Sequence, residues 1–318
     1  MSRVLAADIG GTNARFALVE GAPQAAPRFA FKRVYATADF PGFEPALRAF
    51  LAEARSAGAP AVRHGVIAFA GPIDEEAGRL VNRSSWTVDR AMLRSAGIEA
   101  RLVNDFQALA EGVMHAAAED YLVLQEGNHV AGGTVALVGA GTGLGVAFVV
   151  WDGQRYRAFP SEAGHMSFAP HGDAELELLA YLTARHGRVS AERVVSGGGL
   201  VAIDEFLRGS PPEDPATISE RALKDPTSPE GQALALFIHC YGGFAGDIAL
   251  TFLARGGLYI CGGIAAKLAS RFREGDFMAA FLDKGRHRAL VGAMPVHLVV
   301  NEELGLLGAA RLAMAARE

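Results

Sequence analysis

Cysteine is nearly missing: the 318 residues hold only Cys240 and Cys261. Both stand in apolar surroundings without metal-ligand spacing, which excludes a disulfide scaffold and fits a reducing, cytoplasmic setting. No block of Lys or Arg occurs and the net charge is -5, which argues against nucleic acid as the main partner. A signal peptide is not expected, because Asp8 and two glycines follow a very short apolar run. The apolar stretch Thr134–Trp151 is broken by glycines, so it reads as a hairpin and no membrane span is expected. A Walker loop is excluded, since no Gly-Lys-Ser/Thr follows a glycine run, and the protein-kinase signatures are missing too. A dinucleotide fingerprint fails at position 144, which is Leu, and a strand pattern follows it where a helix is needed.

Half of the chain is apolar and a fifth charged, enough for two cored domains. Arg3–Glu20 reads as a hairpin, Ala30–Tyr35 as a third strand, and Phe43–Ala57 as a helix stopped by Gly58. Gly65–Ala70 is a strand ended by Gly71-Pro72, and Asn82–Val88 is polar and loop-like. Asp89 caps a short helix through Ser95. Ala100–Asn104 is a strand, followed by the helix Phe106–Ala117. A second hairpin begins at Thr134, a recurrence that hints at internal duplication. Glu175–Arg185 and Gly231–Leu253 read as helices and Ser210–Pro229 as a surface connection or partly ordered helix pair. Gly257–Cys261 and Pro295–Val300 are strands, and Leu304–Ala316 is a closing helix. The order predicts mixed α/β sheets with packed helices.

Each hairpin turns on glycines. Asp8-Ile9-Gly10-Gly11-Thr12-Asn13 forms the first turn and Gly139-Ala140-Gly141-Thr142-Gly143-Leu144-Gly145 the second. Such turns leave backbone N–H groups to converge on an anion, and each adds a Thr hydroxyl. Taken singly, either is equally an ordinary tight turn. Two in one chain point to a polyphosphate held from both sides, hence a nucleotide and phosphoryl transfer or hydrolysis. Asp8 is placed to hold Mg²⁺ directly or through water, or it is a plain turn residue. Gly262-Gly263 ends a strand and opens a helix. It is a simple helix entry or a place where a flat purine approaches the backbone.

These turns recur with Val103-Asn104-Asp105-Phe106, Glu162-Ala163-Gly164-His165, Val189-Ser190-Ala191-Glu192-Arg193 and Cys261-Gly262-Gly263-Ile264 in the order seen in bacterial glucokinases. The chain resembles that family from its first strand to Gly305-Leu306-Leu307-Gly308. Two isolated cysteines cannot supply the zinc motif of another sugar-kinase branch, so the resemblance is to the zinc-free branch. It implies an actin-like (ribonuclease H-like) ATPase fold of two α/β domains with a cleft between them. The expected domains are residues 1–110 with a returning helix in 301–318, and residues 111–300. It also implies ATP and Mg²⁺, D-glucose phosphorylated at its 6-hydroxyl to glucose 6-phosphate for glycolysis, and a cytoplasmic homodimer. In this reading Asp8, Gly10, Gly11, Thr12, Asn13, Gly141, Thr142, Gly143, Gly262 and Gly263 serve the nucleotide. Gly198 departs from a frequent proline, and Ser161 and Ala163 from frequent glycines.

The same resemblance assigns the sugar to Asn104, Asp105, Glu162, His165 and Glu192. Asp105 becomes the base that accepts the proton of the attacking hydroxyl. Its plainer role is an N-cap, and that of Asn104 a turn residue. Glu162 and His165 form a Glu-x-x-His pair with a second copy at Glu126 and His129. Both copies lie among Gly, Asn or Pro, which argues against a helical di-metal site. Glu192 follows Ser190, a candidate N-cap, so its plainer role is a first-turn charge. A sugar-sensing regulator and an actin-like remodelling ATPase are the competing readings. The first would carry a DNA-binding segment before the first strand, and none is expected because that strand starts by residue 3; the sugar-type residues argue against the second.

Overall fold

The computed structural model describes residues 2–22, 25–71, 77–80, 83–209 and 211–315. Contacts group the chain into two units, Met1–Ala116 with Glu303–Glu318, and Ala117–Glu302. A division after residue 110 would cut a helix that runs to Val113. Asn301 stays with the second unit, where its Nδ2 donates to Asp120 Oδ1 at 2.8 Å.

The first unit has strands β1 (Ser2–Ile9), β2 (Asn13–Gly21), β3 (Arg28–Ala36), β4 (His64–Phe69), β5 (Ala77–Leu80), β6 (Arg83–Asp89) and β7 (Glu99–Asn104). Its helices are α1 (Phe43–Ser56), α2 (Arg90–Ser95), α3 (Asp105–Val113) and the C-terminal helix Leu304–Ala315. The main sheet runs β3-β2-β1-β4-β7, with β1 to β3 antiparallel and β1, β4 and β7 parallel. Helices cover both faces, so Val4, Leu5, Ala6 and Ala7 are all buried instead of alternating with polar residues. Leu5, Ala7 and Ile9 join Phe16, Phe43, Phe50 and Trp86 on the α1 side. Val4 and Ala6 join Ala310 and Met314 on the other. Each fully buried large side chain contributes roughly 1.5–3 kcal/mol. Gly112 and Gly308 let α3 and the C-terminal helix meet backbone to backbone. An added Cβ would lie 1.9 Å from Leu304 O or 1.7 Å from Ala108 O, respectively.

The loop expected at 82–88 is instead β6, paired with β5 in a ribbon of its own. Trp86 and Val88 are buried while Ser85 is exposed, a period of two hidden by polar neighbours. Asp89 does cap α2, its Oδ1 accepting the N–H of Met92 at 2.7 Å. Pro72, Asn82, Ser210 and Ala316, at the bounds of expected elements, lie outside the described residues.

The second unit has strands β8 (Tyr121–Gln125), β9 (Val135–Ala140), β10 (Leu144–Trp151), β11 (Tyr156–Ser161), β12 (Gly257–Cys261) and β13 (Val296–Val299). Its helices are α4 (Gly172–His186), α5 (Gly197–Arg208), α6 (Pro215–Lys224), α7 (Pro229–Phe252), α8 (Gly263–Lys267), α9 (Ala269–Phe272), α10 (Asp276–Leu282) and α11 (Arg288–Gly292). The sheet order is β11-β10-β9-β12-β13-β8. In both sheets three antiparallel strands, ordered third, second, first, lead into two parallel ones. The repeated hairpin is thus part of a repeated sheet.

α7 is the centre of this unit's core, with Phe237, Tyr241 and Ile248 buried. It is long and apolar enough to cross a membrane, but 67% of its most apolar stretch is buried. α5 has no clear helical signal in the sequence because it opens on Gly197-Gly198-Gly199, and the Ser196 hydroxyl caps it by accepting the N–H of Gly199 at 3.1 Å. α6 lies within the stretch expected to be a surface connection or a partly ordered helix pair, capped by Asp214 with Pro215 in its first turn.

Candidate active site

In the first unit the ends of three parallel strands line up, with Ile9 opposite Phe69 and Phe69 opposite Asn104. Asp8, Gly10–Asn13, Asn104 and Asp105 therefore gather at one carboxyl edge, where open α/β sheets bind ligands. The ends of β1 and β7 stand two strand spacings apart, roughly 10 Å.

Asn104 caps α3. Its Oδ1 accepts the N–H of Phe106 at 2.9 Å and of Gln107 at 3.2 Å. Asp105 is the first helical residue, half-buried, and its Oδ1 also accepts the Phe106 N–H at 2.9 Å. The capping role considered for Asp105 thus belongs to its neighbour, and Asp105 has the first-turn place where a helix favours an anion. The cap occupies the Asn104 side-chain oxygen, and its two N–H donors remain for other partners.

Asp8 faces the C-terminal helix because it shares the parity of Val4 and Ala6 along β1. It is paired across the strands with Arg15, whose Nη1 lies 3.8 Å from Asp8 Oδ2. Burial pushes its pKa above the ordinary 3.8, and Arg15 opposes the rise. Gly305 makes room for the carboxylate, since a Cβ there would stand 2.8 Å from Oδ2. The turn after it is self-bonded in part: the Gly10 N–H donates to Asn13 O at 2.9 Å, so that donor is not free as expected. Thr37, a residue with no sequence signal, holds the turn from below. It is buried, its hydroxyl donates to Gly11 O at 2.7 Å, and its N–H donates to Thr12 O at 2.9 Å.

In the second unit β9 and β12 run parallel with Gly139 opposite Cys261. Their carboxyl ends carry Gly141-Thr142-Gly143 and Gly262-Gly263. Gly262 has φ +90°, and a Cβ would fall 2.5 Å from Ala140 O, so only glycine fits. Gly141 opens onto empty space, with nothing within 4 Å of an added Cβ.

Glu162, His165 and Glu192 form one cluster beside this edge. Glu162 Oε2 lies 3.7 Å from His165 Nε2, and Glu192 Oε1 lies 3.8 Å from His165 Nδ1. These are ion-pair distances, too long for hydrogen bonds. The other Glu192 oxygen accepts the N–H of Leu144 at 3.0 Å and would stand 2.6 Å from a Cβ on Gly143. Glu192 is therefore tied to the second glycine turn and is more than a first-turn charge. Ser190 makes no side-chain cap, contrary to expectation. The backbone does the positioning instead, with Ser167 bridging Ser190 and the Ala191 N–H donating to Met166 O at 2.8 Å. Gly164 presses the 163–165 turn onto β10, where a Cβ would meet Leu144 O at 2.0 Å. The Ser161 hydroxyl accepts the Ala163 N–H at 3.2 Å, a use for one departure from the family pattern. Glu162 is 78% exposed and Glu192 34%, so polar groups are available to a ligand.

A glucokinase family model matches residues 5–316. A glucokinase of Nostoc sp. is 38% identical, with 98% of each chain covered. The chain belongs to the glucokinase family. The crystal structure of a glucokinase from an Antarctic psychrotroph has a TM-score of 0.82 and 31% identity, covering 98% of this chain and 99% of that one. A ROK family glucokinase from Streptomyces griseus, solved with glucose and AMPPNP, shares the fold at a TM-score of 0.61 and 20% identity, covering 98% and 99%.

For a glucokinase-family chain, a hexose kinase, the donor inventory is apt. Carboxylates, an imidazole and an amide suit sugar hydroxyls, and glycine turns suit phosphates. Among the described residues no group of three or more His, Cys, Asp or Glu is arranged to hold a metal ion, the Glu126 and His129 copy included. Asp8 alone, facing Arg15, fits a metal that arrives on a nucleotide and does not make a resident site. Cys240 and Cys261 are free and buried, and burial raises both thiol pKa values, so neither is a nucleophile.

Proposed function

We propose that the chain transfers the γ-phosphoryl group of ATP to the 6-hydroxyl of D-glucose, with Asp105 as general base. The observation that carries the assignment of the base is the pairing of Asn104 and Asp105. The first residue is locked as a cap, and the second presents a carboxylate at the carboxyl edge of a parallel sheet. Asn104, Glu162, His165 and Glu192 hold the hydroxyls, and requiring several such contacts gives specificity by leaving polar groups unpaired when one is missing. Thr12 and Thr142 add hydroxyls to the two glycine turns that cradle the phosphates, and Gly262-Gly263 flanks the adenosine. AMPPNP in the Streptomyces griseus neighbour supports the choice of nucleotide.

Mg²⁺ would be held by the nucleotide phosphates with Asp8 reaching it through water. When bound, it neutralises phosphate charge. The rest is done by protein groups that orient the hydroxyl, take up its proton and exclude water, since phosphoryl transfer depends mainly on positioning and charge stabilisation. The matching strand orders of the two sheets support an actin-like (ribonuclease H-like) ATPase fold. A cytoplasmic homodimer completes the proposal, and buried free thiols suit a reducing compartment.

The test is Asp105→Asn in a coupled assay with glucose and ATP. Turnover should fall by roughly 10²–10⁴, with the melting temperature nearly kept. Near-normal turnover refutes the role of the base. ATP hydrolysis that ignores glucose argues for the remodelling ATPase.

A further inference from the structure

The two turns assigned to ATP leave from adjacent strands, and one buried side chain reaches the point where both strands end. Tyr241 of α7 is fully buried. Its hydroxyl accepts the N–H of Ala140 at 3.1 Å, faces Val138 O at 3.2 Å, and lies 3.5 Å from Cys261 O. Ala140 is the last residue of β9 before Gly141, and Cys261 the last of β12 before Gly262. Phe237, Phe272 and Phe277 meet the ring edge-on, with centroids 6.1, 5.5 and 5.8 Å away. The ring is held by its neighbours, so the oxygen has one place to be.

Upstream, β9 and β12 pair continuously from Gly257 opposite Val135 to Cys261 opposite Gly139. The hydroxyl meets this ladder at its end, donating to Val138 O and accepting from the N–H of Ala140 on either side of the last rung. Beyond that rung Gly262 packs against the backbone of Ala140, where an added Cβ would fall 2.5 Å from the carbonyl oxygen. A shift of Ala140 by a few tenths of an ångström therefore passes directly to Gly262.

We propose that Tyr241 is a positioning residue for the nucleotide. Its hydroxyl sets the spacing between the phosphate turn at 141–143 and the adenosine turn at 262–263, without touching ATP. The proposal rests on assigning those turns to ATP. Glu192, bonded to the N–H of Leu144 next to the turn, follows a small shift of the turn by side-chain rotation, so the effect on glucose is expected to be much smaller than that on ATP.

The test is Tyr241→Phe in the full chain, beside Thr142→Ala. KM for ATP and for glucose are measured for each, with ADP binding by calorimetry and the melting temperature. For Tyr241→Phe, KM for ATP and Kd for ADP should each rise on the order of tenfold, with KM for glucose within about twofold. If Thr142→Ala weakens ATP but Tyr241→Phe does not, the proposal is overturned. If neither variant affects ATP, the nucleotide assignment of the turn fails. Equal rises in both KM values would mean general loosening and would also overturn the proposal. Should Tyr241→Phe not fold, 3,5-difluorotyrosine at 241 carries the test. It keeps the ring and hydroxyl, weakens the oxygen as an acceptor from Ala140 N–H while strengthening the O–H as a donor to Val138 O, and should change KM for ATP alone. An unchanged KM for ATP with that replacement refutes the idea.

Discussion

Gly143 lies in the turn assigned to the nucleotide, yet its substitution should damage glucose binding. A Cβ at 143 would stand 2.6 Å from Glu192 Oε2 and 3.5 Å from Glu192 Cδ. The carboxylate must retreat by about 0.8 Å to reach ordinary contact. That stretches its 3.0 Å bond from Leu144 N–H past hydrogen-bonding range. Gly143 is not among the residues with left-handed backbone, so alanine adds no strain of its own. The atom displaced is the tip of a flexible, partly exposed side chain, which keeps the stability cost under about 1 kcal/mol. A sugar hydroxyl bonded to that carboxylate loses a charge-assisted hydrogen bond worth roughly 1.5–3 kcal/mol. Gly143→Ala should therefore raise KM for glucose about tenfold to a hundredfold, with KM for ATP changing much less. The assay is initial rates over a grid of both substrates, with a melting curve on the same sample. A variant with a raised KM for ATP and an unchanged KM for glucose refutes the reasoning, because Glu192 would then not hold the sugar.

Asp8→Asn should raise the melting temperature at pH 7 while impairing activity. Asp8 has a folded pKa above its ordinary 3.8, so its favourable contribution is complete below that value and is lost as pH rises through the folded pKa. The advantage of the variant should shrink as pH falls towards 4, and an advantage that does not change with pH contradicts this origin. Asn104→Asp keeps the cap of α3 but removes two N–H donors. It should hold its melting temperature while KM for glucose rises, whereas Asn104→Ala should lose about 1 kcal/mol of stability as well, measured by urea unfolding. Gly308→Ala drives a Cβ to 1.7 Å from Ala108 O and should cost about 3 kcal/mol or more in the same titration. A neutral result would mean that the two helices are not in backbone contact.

Local features were legible where near neighbours in sequence decide them. The hairpins around Gly10 and Gly141 follow from apolar runs interrupted by glycine, and α1 follows from its helical spacing. β6 was hidden because its apolar positions, Trp86 and Val88, sit among polar residues. α5 was hidden because glycines open it. The sugar-type residues were named through a resemblance, and no spacing rule joins Leu144 to Glu192 across 48 positions.

Sequence alone determined the two glycine turns and the apolar strands that flank them, because backbone freedom and hydrophobic runs are written in adjacent residues. Tertiary structure decided which of these features depend on one another. Gly143 stays bare beside Glu192, Gly305 beside Asp8, and Gly262 beside Ala140. The cap of α3 fell to Asn104, Thr37 supports the first turn, and Tyr241 supports the second. Each depends on atoms brought within about 3 Å by packing, and in the through-space pairs that contact is set by the fold.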